Sequence, residues 1–215
     1  MLEISAKSNI IVFEGANNMI LTISQLKERY HKYANPIDKI KRDCDAGLLI
    51  RLNRGLYEDN PHAEPIFLAA PLLSPSYISF ETALAYYGLI PERVVTITSA
   101  SLMVRKNKDF VNSFGRYTFT DIPSDVFYLG TTHIINGDYI ARIATKEKAL
   151  CDSLCKWPVV HSVKDLKQLM FDDKRIDIGE FQSCNFLDMI EIAKQYHKTN
   201  LDLLIKMIRK EYLHE

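Results

Sequence analysis

What this sequence lacks narrows its reading before any pattern is sought. No apolar run approaches the ~18–20 residues that span a bilayer; the longest, Ile66 to Leu73, is short and contains Pro71. The opening Met-Leu-Glu-Ile-Ser-Ala-Lys has no charged-then-apolar leader pattern, so a cytoplasmic protein with no membrane partner is expected. Neither sign of charge is in excess: 27 Lys and Arg stand against 27 Asp and Glu. No global field therefore draws the chain to nucleic acid or anionic lipid, and any such binding must come from a local patch. The cysteines are only Cys44, Cys151, Cys155 and Cys184. None makes a C-x-x-C pair, and Cys151 and Cys155 have same-face helical spacing. The six histidines are scattered, so no zinc-ligand pattern emerges. Free buried thiols and no metal are expected. A glycine-rich phosphate loop, a G-x-S-x-G elbow, H-E-x-x-H and a paired G-x-D nucleotidyl-transfer signature are all missing. His133 and His161 have no carboxylate or cysteine partner nearby in sequence. The chain reads as no enzyme, with no cofactor.

What is present is ordinary globular material: 215 residues, 47% hydrophobic and 25% charged. A chain this long buries roughly 70% of the surface it exposes when unfolded. Two prolines in Asn60-Pro-His-Ala-Glu-Pro65 interrupt the periodic pattern, which divides the chain into an N-terminal unit, 1–60, and a second part, 61–215.

In the first unit, Glu3 to Phe13 has an amphipathic helical pattern weakened by Ile10-Ile11-Val12. Met19-Ile20-Leu21 is a short apolar stretch ending at Thr22, a good helix cap. Ile23, Leu26, Tyr30 and Tyr33 then recur at helical spacing. Asn35-Pro36 opens a third helix, with Asn as cap and Pro at the first position. Its apolar face would hold Ile37, Ile40 and Cys44, and Gly47 would end it. Leu48 to Tyr57 alternates and turns at Asn53-Arg54-Gly55, a short hairpin.

Helix, short strand, helix, tight turn, helix and hairpin is the order of a winged helix-turn-helix. The face opposite the apolar stripe carries Asp38, Lys39, Arg42 and Asp43, with Lys41 on its flank; the hairpin presents Arg51, Asn53 and Arg54. Between Ile20 and Tyr57, eight basic residues face four acids, a local +4 in a neutral chain. Phosphate neutralisation supplies most affinity for DNA, and an inserted helix supplies base contacts. The candidate DNA-binding residues are thus Lys39, Lys41, Arg42, Arg51, Asn53 and Arg54. Asp38 and Asp43 on the same face would repel phosphate. A winged helix that only contacts protein stands as the alternative.

The second part reads as an α+β domain with a helical C-terminal tail. Pro65 to Leu73 is helical, and Ser79 to Gly88 is a helix with a serine cap and a glycine stop. Val94 to Thr98 and Arg116 to Ile122 are strands. Thr132 to Ile135 and Tyr139 to Ala144 form a hairpin about Asn136-Gly137. Thr145 caps a helix through Lys156, closed by Trp157-Pro158. Val163–Phe171, Phe186–His197 and Leu201–Leu213 are amphipathic helices. Glu147 and Asp152, five apart, do not share a helix face well enough to hold a metal; Lys146-Glu147-Lys148 reads as a first helical turn.

Three blocks carry a resemblance. Tyr77-Ile-Ser-Phe-Glu-Thr-Ala-Leu-Ala-Tyr-Tyr-Gly-Leu-Ile-Pro91 is similar to the "YIS…SALAYHGL" segment of the AbiEi-type antitoxins. Ile143-Ala-Thr-Lys-Glu-Lys-Ala-Leu-Cys-Asp152 is similar to their "IATPEKALLD" segment. Ala46-Gly-Leu-Leu-Ile-Arg-Leu-Asn-Arg-Gly-Leu-Tyr57 resembles their "GLL…RGLY" wing. The blocks keep the family's order over roughly residues 20 to 170; Lys146 replaces a frequent proline and Tyr87 a frequent histidine. The resemblance implies the antitoxin of a type IV toxin–antitoxin, abortive infection (phage defence) system. It implies a winged helix that binds inverted repeats in its promoter as a transcriptional repressor, and a C-terminal part that counteracts a nucleotidyltransferase-like toxin. Lys39, Lys41, Arg42, Arg51 and Arg54 would contact DNA, and inverted repeats imply a dimer on it. No toxin-contacting residue is assigned. A protein-binding antitoxin or adaptor without DNA binding is the alternative.

Overall fold

A computed structural model describes residues 20–102 and 106–214; the helix expected over Glu3 to Phe13 lies outside the described residues. The first described elements are β1 (Ile20–Thr22), α1 (Ile23–Arg29), α2 (Pro36–Asp45), β2 (Ile50–Asn53) and β3 (Leu56–Glu58). The Thr22 hydroxyl accepts the Gln25 N–H, and the Gln25 side chain accepts the Thr22 N–H at 2.8 Å, a reciprocal box that starts α1. The Asn35 side chain accepts the amides of Ile37 and Asp38, and Pro36 takes the first helical position of α2. The strands form an antiparallel sheet in the order β1-β3-β2. Gly55 turns the β2–β3 hairpin at φ +76°, a conformation that costs glycine little. Leu21, Leu26, Ile40, Leu49 and Tyr57 close a small core.

The apolar stripe of α2 differs from the expected one. Ile37 is 44% exposed, whereas Asp43 is buried beside Ile40. Ile37 lies at the margin of the stripe set by Pro36, Ile40, Asp43 and Cys44. A carboxylate is tolerated inside because Lys39 and Tyr30 donate to it.

The rest of the chain is built on a mixed six-stranded sheet in the order β6-β7-β5-β4-β9-β8. Its strands are β4 (Ser76–Ile78), β5 (Thr96–Ser101), β6 (Lys108–Asn112), β7 (Gly115–Asp121), β8 (Thr131–Asn136) and β9 (Tyr139–Ala144). The pairs β5–β7 and β4–β9 are parallel, the others antiparallel. A 3-10 turn, Pro65–Leu68, leads into α3 (Ala69–Leu72), which contacts β4 and β9. Next in chain order come α4 (Phe80–Tyr86), α5 (Lys146–Lys156), α6 (Val163–Lys167), α7 (Ile178–Gln182), α8 (Phe186–Lys194) and α9 (Thr199–Ile208). α4 packs on α5 and β5, and α8 and α9 pack on α5. Wider π turns continue α6 over Gln168–Asp173 and α9 over Arg209–Leu213. Among the described residues no helix is long and apolar enough to cross a membrane.

The architecture is α+β. Two strands escaped the sequence reading: β4, three residues between Pro75 and a helix, and β6, whose charged Lys108-Asp109 hides its alternation. Ser79 precedes α4, yet its hydroxyl makes no cap bond and donates to Asp152 instead. In the second hairpin Asn136 pairs with Tyr139, so Gly137-Asp138 forms the two-residue turn, one place later than expected. Gly137 has φ +57° while Asp138 is not left-handed, which fits glycine at the first central position.

The two sheets meet along β2 and β3. Leu52 on β2 is buried in the larger core rather than the small one. Its carbonyl accepts from the Asn112 side chain at 3.3 Å, and the Tyr139 hydroxyl donates to Glu58 at 2.8 Å. The hairpin is thus docked by one side onto β6 and β9, which leaves Arg51, Asn53 and Arg54 facing solvent.

Candidate nucleic-acid interface

Helix α2 presents Lys41 and Arg42 to solvent, and the β2–β3 hairpin presents Arg51, Asn53 and Arg54. The hairpin and helix adjoin: Ile40 of α2 and Tyr57 of β3 lie in one buried cluster. The exposed cations are lightly held. Arg42 Nε donates to the Asp38 carbonyl at 3.4 Å, and Arg51 Nε to the Asn53 carbonyl at 3.3 Å. The Asn53 side chain accepts the Arg54 N–H at 2.7 Å, which shapes the turn.

Lys39 stands apart from this group. Its ammonium pairs with Asp43 and lies 5.4 Å and 5.6 Å from the ring centroids of Tyr30 and Tyr33. Burial alone would raise the Asp43 carboxyl, but the hydrogen bonds from Lys39 and Tyr30 hold it below its ordinary value. Burial, reinforced by Asp43, pushes the Tyr30 hydroxyl up to about 12. The structure thus places Lys39 in the helix-packing interface, not on the exposed basic face. Asp43, expected to repel phosphate, is neutralised with it. Asp38 remains exposed and accepts from the Asn35 side chain at 2.7 Å.

A second polar assembly lies inside the larger core, and sequence reasoning missed it. Lys148 and Asp152, one turn apart on α5, are both fully buried with 3.2 Å between ammonium and carboxylate. Asp152 Oδ2 accepts from Ser79 at 2.6 Å and Tyr77 at 2.9 Å, and Oδ1 accepts from Tyr196. Lys148 donates to the Val126 carbonyl at 2.8 Å and to the Tyr196 hydroxyl. Burial lowers the Lys148 pKa against the opposing pull of Asp152, and burial beside that carboxylate raises Tyr77 and Tyr196. Phe80, next to Ser79, adopts φ +54°, where a non-glycine residue is strained; this turn carries the chain from β4 into α4.

Every member of this assembly has a partner and none faces solvent, so it works as a clamp joining β4, α5 and the end of α8 rather than as a reaction site. Its sequence signal was available: a Lys and an Asp at i, i+4 flank Ala149-Leu150-Cys151, charges on a helix that is otherwise apolar there. Tyr77 and Ser79 come from one of the quoted sequence blocks, Lys148 and Asp152 from another.

Among the described residues no group of three His, Cys, Asp or Glu side chains could hold a metal ion. Burial pushes Cys151 up and Cys184 to about 12, which leaves both thiols unreactive. No protein-family model and no curated protein matches the chain.

Proposed function

We propose that this chain is a DNA-binding antitoxin of the AbiEi type. Its N-terminal winged helix-turn-helix represses its own promoter, and its second part counteracts a nucleotidyltransferase-like toxin. The observation that carries the reading is the shared exposure of Lys41 and Arg42 on α2 and Arg51 and Arg54 on the adjoining hairpin. The antiparallel order β1-β3-β2, with two helices between β1 and β2, supports the winged form. Electrostatics supports it too. Withdrawing Lys39 and Asp43 together leaves seven basic residues against three acids between Ile20 and Tyr57, still +4. Arg42 and Lys41 serve helix contacts, Arg51 and Arg54 grip phosphate, and Lys39 holds α2 on α1. The meeting of two resemblance blocks at the Lys148–Asp152 clamp supports the family reading by giving their residues one physical purpose.

The test is a promoter–reporter strain and a toxin-rescue assay run on the same full-length variants. Arg42→Ala/Arg54→Ala is expected to lose repression and keep rescue. Unchanged repression by that folded variant overturns the interface; failure of the wild type to rescue cells from the neighbouring gene's product overturns the antitoxin assignment. The pairing of Arg29 with Asp59 at 3.1 Å, added to that of Lys39, favours a second reading in which the unit contacts only protein. That reading predicts rescue with no repression by the wild type.

A further inference from the structure

Strand β8 ends the larger sheet, and among the described residues no strand pairs with its outer side. Asn136 and Tyr139 pair across a two-residue turn. Alternate residues Thr131, His133 and Ile135 therefore direct their N–H and C=O groups away from β9. Soluble proteins blunt such edges with charge, proline or a covering segment. The opposite edge, β6, is blunted: it carries Lys108 and Asp109, Asp109 pairs with Arg116, and Asn112 is tied to Leu52. Strand β8 is Thr-Thr-His-Ile-Ile-Asn, with neither an acid, a Lys or Arg, nor a proline. Beside it Ile135 is 69% exposed and its cross-strand partner Ile140 is 60% exposed.

We propose that β8 pairs antiparallel with β8 of a second copy of this chain, about a two-fold axis at Ile134. A row of free amides and carbonyls takes a strand as its complement. A second β8 brings no like charge against the first, and buries no charge against the isoleucines. Two-fold antiparallel pairing sets residues of like facing opposite each other. Centred on Ile134, it places Ile134 against its own copy and Ile135 against His133. Centred on His133, it would oppose two histidines, which repel when protonated. The axis also brings the two Ile135 side chains onto one face as diagonal neighbours, each flanked by its own Ile140. This inference does not depend on DNA binding.

Sedimentation velocity of the full chain over a concentration series tests it, with Ile135→Lys and His133→Pro as variants. The wild type is expected to dimerise with a dissociation constant on the order of micromolar, as suits a small interface. Ile135→Lys is expected to weaken it at least ~10-fold, each 1.4 kcal/mol being one decade. His133→Pro removes a free edge donor without altering the isoleucine ridge, at a position where an edge strand accepts proline, and should weaken it comparably. Circular dichroism checks that both variants keep the fold. A wild type that stays monomeric at concentrations on the order of 100 µM overturns the proposal. A dimer lost with Ile135→Lys but kept with His133→Pro also overturns it, because it would mean stacked faces and not paired edges.

Discussion

Replacing Lys148 by Met keeps the length and apolar stem of a fully buried side chain and deletes only its charge. The Asp152 carboxylate then remains inside with three hydroxyl donors but no cation, and the Val126 carbonyl loses its ammonium partner. Breaking a buried pair in this way costs about 3–5 kcal/mol, a large share of the ~5–15 kcal/mol that holds a domain folded. For a chain of this size each kcal/mol moves the Tm by about 2–4 °C, so a fall of roughly 6–20 °C is expected. Asp152→Ala should cost more, since it strands an ammonium and three buried hydroxyls at about 1–3 kcal/mol each. The double variant Lys148→Met/Asp152→Ala should lose less than the sum of the singles, because no lone charge is left behind. Urea unfolding followed by circular dichroism reads all three. A loss below ~1 kcal/mol for Lys148→Met, or strict additivity in the double variant, would refute the clamp.

Gly130→Ala tests the packing over the same lysine. Gly130 has φ +55°, and an added Cβ would meet Ile192 Cδ1 at 2.7 Å and Lys148 Cβ at 2.9 Å; left-handed strain and overpacking together should lower the urea-derived stability by at least ~2 kcal/mol. An unaltered midpoint would show that the Gly130 turn moves freely. Glu58→Gln tests the joint between the sheets. Burial raises the Glu58 carboxyl, whose Oε2 has no partner. The folded state therefore holds its proton longer than the unfolded one, and stability is lost as pH rises through the folded value. The variant should be the more stable at pH 7 and no different below the unfolded carboxylate pKa; equal melting temperatures at both would contradict this. Arg54→Ala should weaken promoter binding for all sequences alike and flatten its logarithmic salt slope by about 1, read by fluorescence anisotropy. An unchanged slope would remove Arg54 from the interface.

Sequence punctuation located much of the fold for local reasons. Thr22, Asn35-Pro36, Thr145 and Gly55 act through bonds and dihedrals within a few residues, and each behaves as its chemistry dictates. What was not legible depends on distant partners. Ser79 looks like a helix cap until Asp152, far along the chain, is brought against it. Asp43 looks like a solvent-facing acid until Lys39 and Tyr30 bond it inside, and Ile37, at the margin of the stripe, is left exposed. Strand β4 could not be read from three residues because its neighbours β5 and β9 define it. The basic face was legible because exposure of Lys41, Arg42, Arg51 and Arg54 follows from helix and hairpin periodicity alone, whereas the loss of Lys39 from it also needed the Tyr30 and Tyr33 rings, which come from outside its helix.

The most direct test of the account is a titration of the intact protein against its own upstream DNA at low and moderate salt, with a random duplex of equal length beside it. Four phosphate-neutralising side chains give a logarithmic slope of about −3.6, hence a loss of roughly 100-fold between ~50 and ~200 mM salt, doubled in exponent if two copies bind. That slope is expected together with preference for the upstream sequence. Equal, weak binding to both duplexes with a slope near zero would contradict it.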